Sequence, residues 1–230
     1  MSEQFDEIFD VLVIGSGCGG LTAALTADIS NPAKVLVIEK SHLIGGTSAT
    51  SGGVIWIPDN HLGKEKGAKD SISEAKEYLK ATIPADEFNE PLIDAYLDQG
   101  PKMVKFMQDH TDARYTSLEH YPDYFQDAPG VKLGNRALEP LPVSADVLGD
   151  DVDNLHPSGP QTIVFGRYGV NFEESHAFTT QSPGWFRLFA KIFLTYWLDF
   201  SWRIKRKRSR RLAFGAASVT RLFASVKKRN

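Results

Sequence analysis

Two groups of residues near the amino terminus have types and spacing that suit chemistry on a phosphorylated ligand. The first is Gly15-Ser16-Gly17-Cys18-Gly19-Gly20, a Gly-x-Gly-x-x-Gly pattern, and the second is Glu39, nineteen residues beyond Gly20. In such a pattern the first glycine allows a tight turn, the second lets the backbone approach a pyrophosphate, and the third lets a helix pack closely on a strand. The free N–H groups of the helix then face phosphate charge, and a carboxylate about twenty residues on accepts hydrogen bonds from ribose hydroxyls. The residues expected to touch a dinucleotide here are Gly15, Ser16, Gly17, Cys18, Gly20, Glu39 and Lys40.

That geometry needs a strand before the glycines, a helix after them and a second strand ending at the acid. Phe9 to Ile14 is apolar and β-branched without polar alternation, which predicts a strand buried on both faces of a parallel sheet. Leu21 to Asp28 is rich in alanine and leucine and reads as a helix stopped by Asn31-Pro32, and Val35 to Ile38 reads as the second strand. Together they form one βαβ unit.

The stretch from Ser41 to Gly53 holds Gly45-Gly46-Thr47-Ser48 and Ser51-Gly52-Gly53, and the stiff run Val54-Ile55-Trp56-Ile57-Pro58 follows. With no helical or strand period it cannot build a core. It reads either as a surface loop or as a wrap around a ligand that needs close backbone approach and many donors, and the β run that follows favours the wrap.

Composition sets outer limits. The 230 residues are 42% hydrophobic and 24% charged, ordinary for a globular chain. A single cysteine, Cys18, excludes an intramolecular disulfide and a cysteine metal cluster, and makes the reduced cytoplasm the default compartment. No metal is expected. The polar, acidic residues Met1 to Glu7 do not read as a signal peptide. The net charge of −3 hides an asymmetry: residues 203–230 carry eleven Lys or Arg and no acid, against 15 basic and 29 acidic groups before them.

Farther along, Ser71 and Glu74 have the spacing of a capping box ahead of a helix through Ala75 to Lys80. Asn89-Glu90-Pro91 opens another helix with Leu92, Ala95 and Tyr96 on one face. A further helix is expected after Gly100-Pro101, with Met103, Val104 and Met107 filling core. Tyr121-Pro122-Asp123-Tyr124-Phe125 is aromatic and turn-forming, and Arg136 and Glu139 are expected to pair with each other at a loop surface.

Trp185 to Trp202 is the most apolar helix candidate. Leu188, Phe189, Ile192, Phe193, Tyr196 and Phe200 lie on one side, with a polar row of Arg187, Lys191, Thr195 and Asp199 and a basic run from Arg203 to Arg211 behind it. It reads either as a helix packed on its own protein or as a helix lying on an anionic membrane surface. Its length and charges argue against a transmembrane span, and nucleic acid is not expected because no recognition motif accompanies the basic run.

With these residues in place the sequence resembles the FAD-binding domain of the fumarate reductase and succinate dehydrogenase flavoprotein superfamily. The likeness rests on Asp10 to Gly17, Glu39-Lys40, Gly45-Gly46-Thr47-Ser48 and Ser51-Gly52-Gly53. It implies that the cofactor is FAD, and that Gly46, Thr47, Ser48, Ser51, Gly52 and Gly53 also line it. Trp56-Ile57-Pro58, Tyr121 to Phe125 and Gly134-x-Arg136-x-x-Glu139-Pro140 look most like the 3-ketosteroid Δ1-dehydrogenases. That resemblance implies a hydrophobic, steroid-like substrate and places Tyr124 where the family has a tyrosine facing the steroid; read without the family, Tyr124 is equally a core or lid aromatic.

The implied fold is α/β: a Rossmann-like FAD-binding βαβ domain with a partial, mainly helical substrate or cap region. Residues 1–65 would form the amino-terminal part of the FAD domain, 66–211 the substrate side, and 212–230 the start of a return to the FAD domain. The family's later segments are missing, so an incomplete chain with little activity alone is expected, with apolar sheet edges exposed. A fumarate-reductase-like oxidoreductase and a non-enzymatic flavin-binding or membrane-associated remnant are the alternatives.

Overall fold

The computed structural model describes residues 7–31 and 33–229. The polar lead-in over residues 1–6 and the helix stop at Pro32 therefore lie outside the described residues. Strand β1 (Val11–Ile14) leads into helix α1 (Cys18–Ser30) and strand β2 (Val35–Ile38). The two strands are parallel, in register from Val11 opposite Val35 to Ile14 opposite Ile38, so the expected βαβ unit forms. One expectation fails: only Val13 of β1 is buried, while Leu12 is exposed and Ile14 is 79% exposed. With β2 as its one partner strand, β1 has a single covered face, which α1 supplies.

The chain continues through α2 (Gly46–Thr50), β3 (Ile55–Trp56), α3 (His61–Glu65), α4 (Ile72–Thr82) and α5 (Glu90–His110). The Ser71 hydroxyl caps α4 by accepting from the Glu74 N–H, as its spacing predicts. The expected break at Gly100-Pro101 is absent, because α5 runs through both residues. Proline removes one backbone hydrogen bond, but Leu97, Gly100, Val104 and Met107 form one buried stripe, and covering that stripe outweighs the lost bond. Met103 of the expected core set points away and is partly exposed.

Strands β4 (Tyr115–Ser117) and β5 (Ala137–Pro140) follow, and β5 pairs antiparallel with β3 on one side and β4 on the other. All four residues of β5 are buried. Beyond it come β6 (Val143–Ser144), a kinked 3₁₀ segment (Ala145–Asn154), the hairpin β7 (Ile163–Val164) and β8 (Tyr168–Gly169), and helices α6 (Phe172–Thr180), α7 (Trp185–Leu198) and α8 (Phe200–Lys205). The 66–211 region thus adds a small sheet and a hairpin to its helices. The single helix expected over 185–202 breaks at Asp199, which ends α7 and begins α8.

Strand β9 (Arg211–Leu212) pairs with β6 and delivers the chain to α9 (Phe214–Lys227), the most deeply buried helix of the fold. Gly215, Ala216, Ala217 and Ser218 keep its first turn thin enough to lie against both α1 and α2. Around it Leu21 and Leu25 of α1, Met107 of α5, Leu148, Val152 and Leu155, and Val219 and Leu222 make the main core. A smaller core of Ile57, Val104 and Leu138 sits under the three-stranded sheet.

Candidate functional site

The glycine turn after β1 is built as its spacing predicts. Gly15 adopts φ +100°, open to glycine and strained for other residues. A Cβ on Gly20 would lie 2.0 Å from the Gly15 carbonyl oxygen, so α1 and the turn meet at a distance only glycine allows. Helix α1 has neither a side-chain cap on its N-cap Gly17 nor an acidic residue in its first turn, which leaves its positive end available to an anion.

Hydroxyl groups tie this turn to the two segments that follow. Ser16 is buried; its N–H and its hydroxyl both donate to Glu39 Oε2, at 2.9 and 2.6 Å, and the same hydroxyl accepts from the Gly45 N–H at 3.0 Å. The other Glu39 oxygen accepts from the Ser41 N–H at 3.0 Å. These bonds, the Ser16 hydroxyl foremost, lower the Glu39 pKa to about 2 and fix it as a carboxylate. Lys40 is exposed beside it. The Cys18 N–H donates to the Ser48 hydroxyl at 3.1 Å, and Cys18 packs at the edge of the main core.

The stretch from Ser41 to Gly53 is more ordered than its composition suggests. Gly45 at φ +105° starts α2, so Gly46, Thr47 and Ser48 form a helical turn pointing from the same centre as α1. The Ser51 hydroxyl donates to the Ser48 carbonyl and accepts from the Gly53 N–H, which curls the chain at Gly52. Gly53 (φ +63°) then passes α9 so closely that a Cβ there would sit 2.5 Å from the Gly215 nitrogen. In turn a Cβ on Gly215 would lie 1.9 Å from the Ser48 carbonyl oxygen. Gly15, Ser16, Gly17, Cys18, Gly20, Glu39, Ser48, Ser51 and Gly53 are thereby drawn into one cradle between α1, α2 and the start of α9, with Gly46, Thr47 and Gly52 beside them in the chain. Sequence reasoning missed the close approach of Gly215 to Gly53 and Ser48; the run Gly215-Ala216-Ala217 was the available signal for it.

The FAD binding domain family matches residues 10–230. This chain belongs to the FAD binding domain family. Its cofactor is accordingly FAD, and the cradle fits that group: a glycine turn with Gly15 at positive φ, an α1 start with no acidic residue in its first turn, and a fixed carboxylate nineteen residues beyond Gly20.

Relatives of this FAD binding domain have been characterised. The 3-oxosteroid 1-dehydrogenase of Mycobacterium tuberculosis is 42% identical over 151 residues, 65% of this chain and 26% of that protein. The enzyme of the same name from Comamonas testosteroni is 32% identical over 224 residues, 97% of this chain and 39% of that protein. The crystal structure of 3-ketosteroid Δ1-dehydrogenase from Sterolibacterium denitrificans, in complex with 1,4-androstadiene-3,17-dione, matches with a TM-score of 0.88 and 37% identity, covering 96% of this chain and 39% of that one. The chain therefore spans about a quarter to two fifths of the length of these relatives.

Tyr124 lies away from the cradle on the loop between β4 and β5, with 82% of its surface exposed. Its hydroxyl is 3.4 Å from that of Tyr121, whose ring packs edge-on against Phe172. The hydrogen bond to Tyr124, with partial burial, raises the Tyr121 pKa and keeps it protonated. A cavity of about 290 Å³ lies against this loop, lined by Val54, Trp56, Tyr78, Ala137, Tyr121 and Tyr124.

Arg136 and Glu139 do not form the expected surface pair. Arg136 is 1% exposed; it donates to both oxygens of Asp70, at 2.7 and 3.0 Å, and to Asp123 Oδ2 at 2.8 Å. Asp123 also accepts from the Trp56 indole at 2.7 Å, so the cation fixes the residue next to Tyr124 and one wall of the cavity. Glu139, equally buried in β5, accepts from the Phe172 N–H at the start of α6, and burial raises its pKa to about 7. Arg136 precedes β5, whereas Glu139 lies within it. The two side chains thus separate into different networks.

Proposed function

We propose that the chain forms the FAD-holding part of a flavin-dependent dehydrogenase acting on the CH–CH bond beside a ring ketone of a 3-ketosteroid. The observation that carries this reading is a cavity walled by Trp56, Tyr121 and Tyr124, whose first lining residue, Val54, follows Gly53 in the chain. In this reading the βαβ unit is Rossmann-like. The α1 N–H groups at Gly19 and Gly20 and the Ser48 side face the pyrophosphate, Glu39 and Lys40 the ribose, and Gly46, Thr47, Ser51, Gly52 and Gly53 the remainder of the cofactor. FAD, when bound, supplies the hydride acceptor.

The residues of this chain then orient and shield. Trp56, Tyr78 and Ala137 offer an apolar wall to a flat polycyclic substrate and exclude water from it. In this reading Tyr124 takes up or relays a proton from the ring carbon next to the carbonyl. A free phenol, with a pKa near 10, is a weak base. Protonated Tyr121, within hydrogen-bond reach, can donate to the Tyr124 oxygen and stabilise the phenolate, the form of Tyr124 that takes up a proton.

The reading is tested with the purified protein. A yellow preparation with a bound-flavin spectrum supports the cradle, and bleaching of that spectrum by a 3-ketosteroid under anaerobic conditions supports the substrate. Flavin bound without bleaching would leave the cofactor assignment standing and refute the activity for this chain; no flavin affinity would refute both.

A further inference from the structure

Helix α7 carries apolar side chains on two faces. Toward the protein, Ile192 is buried, and Phe189, Phe193 and Tyr196 pack on Phe165 of the β7–β8 hairpin. At 100° per residue the opposite sector holds Phe186, Ala190, Leu194, Trp197 and Leu198, and the large residues of this set are all exposed, Leu198 at 84%. Phe200 and Ile204 of α8 extend the exposed surface.

The charges around this surface are of one sign. Residues 182–211 contain nine Lys or Arg and one acid, whereas the rest of the chain contains 17 basic and 28 acidic residues. The one acid, Asp199, is engaged with Arg210, and its side chain is 19% exposed. On the helical wheel Arg187 and Lys191 flank Leu194 and Leu198, and among the described residues neither makes an ion pair, nor do Lys205 and Lys207 beyond the end of α8. Arg203 lies over the rings of Tyr196, Trp197 and Phe200, an apolar stem with a cationic head of the kind that suits a water–hydrocarbon boundary.

We propose that the exposed face of α7 and α8 docks on an anionic lipid bilayer, with Leu194, Trp197 and Leu198 entering the headgroup–acyl boundary and Arg187, Lys191, Lys205 and Lys207 contacting lipid phosphates. Among the described residues no helix is long and apolar enough to cross a membrane, and α7, with 14 residues, is about 21 Å long, so the contact is superficial. Charge selects this occupant over a second copy of the chain. A twofold interface would set this surface against itself, bringing its unpaired cations together with no acid to answer them. The inference does not depend on the flavin reading.

The test is flotation of the purified protein with vesicles of neutral phosphatidylcholine and with vesicles containing 30% phosphatidylglycerol, at about 50 and 500 mM salt. Binding is expected only to the anionic vesicles and to weaken at the higher salt. Each basic residue near such a surface contributes about a factor of five, so R187E/K191E should lower partition by roughly thirtyfold or more. Leu194→Glu with Leu198→Glu should abolish it. As a readout in the unmutated protein, brominated anionic lipid should quench tryptophan emission, and Trp197→Phe should remove most of that quenching. Equal binding to both vesicle types, quenching unchanged by Trp197→Phe, or an α7 double variant that alters oligomeric state and not flotation would overturn the proposal; the last would identify a second copy as the occupant, and retention by an acidic protein with no vesicle binding would identify a protein partner.

Discussion

Replacement of Glu139 by glutamine isolates one buried charge. In the folded chain burial raises this carboxyl from 4.5 to about 7, with Glu173 and Glu174 adding to the rise and the Phe172 N–H and Arg211 opposing it. A raised acid favours the fold while it is protonated. Its contribution is complete below pH 4.5 and is lost as pH rises through 7, because the unfolded chain ionises freely where the folded one resists. At 1.36 kcal/mol per pKa unit the cost above pH 7 is about 3 kcal/mol. The amide of Glu139→Gln would keep an oxygen for the Phe172 N–H and carry no charge. The variant should therefore match the parent near pH 4 and exceed it by about 3 kcal/mol at pH 8, read from urea unfolding curves of both proteins across that range. Two curves that stay parallel from pH 4 to 8 would refute the claim that Glu139 is buried against its charge.

Five other substitutions address the cradle and the cavity. Gly20→Ala, whose Cβ would meet the Gly15 carbonyl at 2.0 Å, should weaken FAD binding at least tenfold by flavin fluorescence, while Gly19→Ala, with open space around its Cβ, should retain it. Glu39 has its pKa lowered to about 2, so any stability the parent gains over Glu39→Gln should be present above pH 4.5 and disappear as pH falls toward 2, measured by acid titration of the folded signal. Arg136→Met leaves Asp70 and Asp123 without their cation in a buried site and should cost about 3–5 kcal/mol in urea unfolding. Tyr124→Phe should leave melting temperature and flavin binding unchanged and slow steroid-dependent flavin bleaching at least tenfold.

What the sequence disclosed was local. The glycine turn, the βαβ unit, the α4 cap and the apolar helix near residue 185 each depend on residues within about thirty positions of one another, where spacing carries the information. The α2 turn escaped because a five-residue helix of glycine, serine and threonine has no hydrophobic period. Helix α9 escaped for the opposite reason: buried nearly all round, it has no polar face to mark its period. The Arg136 network was illegible because Asp70 is 66 residues away and the sequence offers Glu139 as a nearer partner. Strand β5 reads as a loop because it ends in proline, which is tolerated where its carbonyl accepts from a neighbour and no N–H is needed.

The seam at which Gly53 abuts Gly215 joins stations 162 residues apart. A cradle whose rim closes only there cannot mature when its first strand is made; the glycine turn emerges first and waits, half walled, until the residues up to α9 have followed. The cradle thus depends on a helix far downstream of the turn, and any lesion that delays α9 would be felt at the cradle rather than as a fault in the turn itself.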